Sequence, residues 1–168
     1  MKPRVGVSAC LLGQALRYDG ASRPHAWVRD QLPRYAEIRP FCPETGAGLG
    51  VPRPAVQLVR RDDGRLHVCG VDDPRPDVTD ALRQWMKLQT PELQLLDAII
   101  FKSRSPSCGL ASTPLFDGSG NILQTGVSGV YAAWVQANFP DLVLYDDVRL
   151  GEKSHQEQLL SLLGNKQG

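Results

Sequence analysis

The chain has 168 residues, 42% apolar and 22% charged, with a formal net charge of +1. That length fits one domain over residues 1–168 with a substantial core, and the near-neutral charge removes any electrostatic case for nucleic acid or an anionic membrane surface. No apolar run approaches a membrane span, and Met1-Lys2-Pro3-Arg4 runs into a strand-like segment rather than a signal-peptide core; a cytoplasmic location is expected, where four cysteines point to metal, catalysis or burial before disulfides.

Arg4–Ala9 reads as a first strand, ending at Cys10. The loop from Gly13 to Gly20 carries Arg17, Tyr18 and Asp19, and it belongs at the mouth of a parallel-sheet site. Ser22 is placed to cap a helix over about Arg23–Leu32, with Pro24 in its first turn. Trp27 on that helix is read as core and His25 as incidental. Tyr35–Phe41 is a second strand, leading to Cys42-Pro43-Glu44. The glycine run Thr45–Pro54 matches neither the Walker nor the dinucleotide fingerprint and reads as a close-packed loop.

Val56–Arg60 and Arg65–Cys69 flank Asp62-Asp63-Gly64, a hairpin signal. Cys69 stands apart from any pattern of serine, proline or glutamate and reads as a bystander. Asp77-Val78-Thr79-Asp80 opens a long helix with an apolar stripe, which Pro91 interrupts or restarts. Ala98-Ile99-Ile100-Phe101 is a buried strand. After it comes Lys102-Ser103-Arg104-Ser105-Pro106-Ser107-Cys108-Gly109, where Pro106 excludes a helix interior. Thr113–Phe116 and Asn121–Gln124 surround Asp117-Gly118-Ser119-Gly120, a second hairpin. Gly126-Val127-Ser128-Gly129 opens a helix to about Asn138, whose free N–H groups can hold an anion or simply be capped. Leu142–Tyr145 is a last strand and Glu152–Leu163 a last helix.

Alternating strands and helices of this kind predict an α/β three-layer domain with a short, Rossmann-like parallel sheet and hairpin excursions. Three strands each deliver a cysteine at or just past the carboxyl end, and in a parallel sheet those ends lie side by side where ligands bind. The thiols are far apart in sequence, so neither a local zinc knuckle nor a CxxC redox pair is present. Three thiolates suit an iron–sulfur cluster with one iron left open, zinc with three thiolates, or a single nucleophile at Cys108 activated by Lys102 and Arg104; a cysteine-persulfide sulfurtransferase using Cys108 and a metal-binding module without catalysis are the alternative functions.

Ser8-Ala9-Cys10-Leu11-Leu12-Gly13, Arg17-Tyr18-Asp19-Gly20, Cys42-Pro43-Glu44, Pro52-Arg53-Pro54 and Lys102–Gly109 resemble, in order and over nearly the whole chain, the motifs of the thiouracil desulfurases, a bacterial family long labelled a domain of unknown function. The resemblance implies a [4Fe–4S] cluster on Cys10, Cys42 and Cys108, and removal of sulfur from a small thiolated pyrimidine, base or nucleotide, without electron transfer. Glu44, two residues past a cluster ligand, is the expected proton carrier, and Ser103 is expected to hydrogen-bond the pyrimidine or the intermediate. The expected substrate contacts are Ser8, Asp19, Arg53, Ser105 and Ser128. Where relatives carry Gly-Val-Thr-Ala, this chain has Gly126-Val127-Ser128-Gly129, keeping the hydroxyl and losing the methyl. Nothing in the sequence sets the oligomeric state.

Overall fold

The computed structural model describes residues 1–166. Its strands are β1 (Arg4–Ser8), β2 (Glu37–Phe41), β3 (Val56–Arg60), β4 (Leu66–Gly70), β5 (Ala98–Phe101), β6 (Thr113–Phe116), β7 (Ile122–Val127) and β8 (Val143–Asp146). Its helices are α1 (Pro43–Gly46), α2 (Thr79–Leu88), α3 (Thr90–Leu93), α4 (Val130–Asn138) and α5 (Lys153–Lys166).

The first sheet has the order β2-β1-β5-β8 and is parallel throughout. A parallel strand covered on both faces reads as a continuous apolar run, and every residue of β5 is buried. Successive side chains leave opposite faces of a strand. Ala98 and Ile100 pack with Val5, Val7, and Leu159 and Leu163 of α5, whereas Ile99 and Phe101 pack with Met86 of α2 and Tyr131 and Val135 of α4. The sheet is therefore the middle of three layers, and each such fully buried side chain contributes about 1.5–3 kcal/mol.

The hairpins are more than excursions. β3 pairs antiparallel with β4, β6 pairs antiparallel with β7, and β3 pairs in parallel with β6 through Leu58↔Leu115 and Val59↔Phe116. The result is a second, mixed sheet of order β4-β3-β6-β7. Leu82 of α2 packs against Leu58, Val68 and Leu115 of that sheet, while Met86, four residues on, faces the first. Residues i and i+4 share a helix face, so one stripe of α2 serves both sheets.

One helical expectation changes. Residues 23–25 are not helical, because Arg23 N–H donates to the Cys10 carbonyl (3.0 Å) and His25 N–H to the Leu11 carbonyl (2.9 Å). Those bonds tie the segment to the turn after β1. A π-type turn over Trp27–Gln31 and a 3-10 turn over Leu32–Arg34 replace the regular helix, with no side-chain cap from Ser22. His25 is not incidental: its Nδ1 accepts the Val28 N–H at 3.3 Å. The helix expected to open at Asp77–Asp80 runs over Thr79–Leu88, and it restarts at Pro91 as the short α3, as expected.

Candidate functional site

Register aligns the strand ends. Ser8 pairs with Phe41, Val7 with Ile100 and Phe101 with Asp146. The segments that follow β1, β2, β5 and β8 therefore emerge together, at the edge where open parallel sheets bind ligands. The segments after β1, β2 and β5, with Arg53, Ala55 and Val56 at the start of β3, line a cleft of about 450 Å³, inside the roughly 300–1,000 Å³ range of small-molecule sites. Cys10, Cys42 and Cys108 all line it, with Glu44 and Ser103.

Each cysteine is set by local backbone. Cys10 sits in a single 3-10 turn over Ala9–Leu12, closed by Gly13 at φ 89°, a left-handed position suited to glycine. Cys42 is extended and precedes α1, with Pro43 in the first turn and the Cys42 carbonyl accepting Gly46 N–H at 2.8 Å. Around Cys108 the chain folds on Ser105, whose hydroxyl accepts the N–H of Ser107 (3.2 Å) and Cys108 (3.0 Å).

That cysteine turn is seated on α4. Val130 N–H donates to the Pro106 carbonyl at 3.0 Å, and Tyr131 N–H donates to the Ser107 carbonyl at 2.9 Å. Ala132 N–H also reaches the Ser107 carbonyl, at 3.2 Å. The opening amides of α4 are spent on the protein's own loop, so this helix start is not an anion site for a substrate. Gly129 permits the approach: a Cβ there would lie 2.6 Å from the Ser107 carbonyl carbon and 2.7 Å from the Pro106 oxygen.

Glu44 is buried and held at both oxygens. Arg53 Nε donates to its Oε1 at 3.0 Å and the Ser107 hydroxyl to its Oε2 at 3.3 Å. Arg53 is itself fixed, since its Nη1 donates to the Gly50 carbonyl at 2.8 Å. Ser103 donates its N–H and hydroxyl to Asp147, and Lys102 Nζ donates to its Oγ. The Ser8 hydroxyl accepts Lys102 N–H at 2.9 Å.

Of the expected contacts, Ser8, Arg53 and Ser105 line the cleft. Asp19 and Ser128 do not. Asp19 is exposed and caps its own turn through Ala21 N–H, and its neighbours Arg17 and Tyr18 face the cleft instead. The Ser128 hydroxyl accepts Ala111 N–H and donates to Gln136. Asp147 was missed by sequence reasoning; its signal was a polar residue directly after a parallel strand. Cys69 is on β4, where Arg61 Nη2 donates to its sulfur at 2.9 Å.

Burial pushes the Cys108 thiol pKa far up, against a hydrogen bond from the Ser8 hydroxyl. Burial also raises Cys10, against the charges of Lys102 and Arg17. A protonated, buried thiol is a poor nucleophile. A metal centre that takes the proton's place supplies the missing stabilisation. Among the described residues no three His, Cys, Asp or Glu side chains converge to hold one ion. Cys10, Cys42 and Cys108 line one cleft, and cysteine thiolates are the usual donor set of an iron–sulfur cluster.

Fold and site together define a class: an α/β protein whose parallel strands end in three thiols around a cleft, beside a buried carboxylate. The family model for 2-thiouracil desulfurase matches residues 5–147, and the chain belongs to that family. Among solved structures it is similar to a [4Fe–4S]-dependent thiouracil desulfidase, TudS (DUF523Vcz), with 28% identity and a TM-score of 0.71, over 94% of this chain and 99% of that one. No curated protein matches the chain.

Proposed function

We propose that this chain is an iron–sulfur-dependent desulfurase that converts thiouracil, or a thiouracil nucleotide, to uracil and hydrosulfide, with Cys10, Cys42 and Cys108 holding a [4Fe–4S] cluster. The observation that carries the reading is the meeting of those three thiols and buried Glu44 on one cleft. When bound, the cluster supplies an open iron, a Lewis acid for the thiocarbonyl sulfur.

The rest falls to the chain. The reaction is a hydrolysis: thiocarbonyl and water give carbonyl and hydrogen sulfide, with no change in electron count. Water must lose protons at the carbon and the departing sulfur must gain them. A carboxylate has about four lone-pair sites, and the Glu44 bonds to Arg53 and Ser107 occupy one on each oxygen. Glu44 is thus fixed in place and still able to take a proton from water and return it to sulfur. Ser103 and Ser105 orient the pyrimidine, Ser8 braces the Lys102 backbone, and Arg53 acts through Glu44.

A persulfide on Cys108 is the competing chemistry, and the burial and raised pKa of that thiol weigh against it. The test is anaerobic single turnover of thiouracil after reconstitution with iron and sulfide. One uracil and one hydrosulfide per thiouracil, with no added reductant or oxidant, are expected. Equal turnover by metal-free protein would remove the cluster from the reaction.

A further inference from the structure

Ser103 lies two residues past β5 and Asp147 one past β8, and the pairing Phe101↔Asp146 sets them side by side. Ser103 N–H donates to Asp147 Oδ1 at 2.6 Å, and the Ser103 hydroxyl donates to Asp147 Oδ2 at 3.1 Å. Lys102 Nζ donates to Ser103 Oγ at 3.2 Å and lies 3.7 Å from Asp147 Oδ2. A serine hydroxyl has one proton and two lone pairs. Here the proton and one lone pair are engaged within the chain. Ser103 lines the cleft, so what it has left for a ligand is a lone pair and no donor.

We propose that Asp147 is a positioning residue that fixes Ser103 as a hydrogen-bond acceptor, and that the cleft thereby selects uracil-type bases over cytosine-type bases. The inference rests on reading the cleft as a thiolated-pyrimidine site. A uracil-type ring carries an imide N–H that Ser103 accepts. A cytosine-type ring has a bare lone pair on the same ring nitrogen, which would face the lone pair of Ser103 with no proton between them. A site built around one hydrogen bond rejects an analogue that leaves its partner unpaired. The carboxylate is essential to this polarity. An asparagine at position 147 would offer one acceptor and one donor: the acceptor meets the Ser103 amide, the donor meets the hydroxyl oxygen, and the hydroxyl proton turns into the cleft.

The experiment is anaerobic calorimetry of uracil and cytosine binding to cluster-loaded protein, with turnover of thiouracil and thiocytosine alongside. The wild type should prefer the uracil-type ligand by at least about tenfold, and Asp147→Asn should shrink that ratio by about 10- to 100-fold while keeping the cluster absorbance. Ser103→Ala should lose the same preference, and adding Asp147→Asn to it should cost nothing more, since both act on one hydrogen bond. An unchanged ratio in Asp147→Asn, or strictly additive losses in the double variant, would overturn the proposal by making Asp147 merely structural. If Asp147→Asn does not fold, Ser103→Ala decides: a collapsed ratio supports the polarity and an unchanged one overturns it. Preferred uracil binding without hydrosulfide release would sink the desulfurase reading and leave this one. Desulfuration with an unchanged ratio would do the reverse, and binding of neither base would sink both.

Discussion

Glu44 and Arg53 form a buried ion pair, with side chains 12% and 6% exposed. Removing one partner of such a pair strands the other charge and typically costs about 3–5 kcal/mol. Arg53→Met should therefore lower the urea midpoint sharply, whereas a purely substrate-facing arginine would leave it unchanged. Glu44→Gln keeps an oxygen for Arg53 and removes the proposed proton carrier. It should retain the cluster spectrum and lose about 10²–10⁴-fold in single turnover; near-normal turnover would take Glu44 out of the chemistry. The cysteines were legible because each follows a strand of the parallel sheet. The partners of Arg53 and Asp147 were not: Arg53 reads as a free contact until Glu44 is seen to hold it, and Asp147 is brought to Ser103 from 44 residues away by the pairing of β5 with β8.

At the scale of elements, the loop around Cys108 depends on α4. The Cβ of Gly129→Ala would meet loop backbone, which has no rotamer to change. Overpacking of this kind costs about 1–3 kcal/mol, and here it also lifts Cys108 out of place. Gly129→Ala should fold with reduced stability and take up less iron and sulfide on reconstitution; full loading would contradict the seating of the loop. The β3–β4 hairpin carries a pH-sensitive support. His67 hydrogen-bonds Asp63 and Asp77, and these bonds raise its pKa above the ordinary value. A raised folded-state pKa gives stability that is full below about pH 6.5 and is lost as pH rises through the folded value. The urea midpoints of wild type and His67→Gln should differ most at low pH within the stable range and converge in alkali. Both hairpins were legible from Asp-Gly turns between strand-like runs. The pairing of β3 with β6 was not, since a parallel contact between segments more than 50 residues apart leaves no local pattern. Residues 23–25 misled for the same reason: Ser22 and Pro24 are good helix-start residues, but the carbonyls of Cys10 and Leu11 take their neighbours' amides.

At the scale of the molecule, the two sheets share α2, and the parallel one gathers three distant cysteines at a single edge. No described helix is long and apolar enough to cross a membrane. The proposed cluster leaves one iron without a protein ligand, open to oxygen as well as to substrate, so activity should fall on handling in air and return on anaerobic reconstitution. The measurement that tests the account most directly combines iron content, sulfide content and thiouracil turnover on wild type and four variants. Cys10→Ala, Cys42→Ala and Cys108→Ala should each be colourless and inactive, and Cys69→Ala should keep both cluster and turnover. Full cluster loading in any of the first three, or its loss in Cys69→Ala at unchanged fold, would contradict the assignment of the cleft.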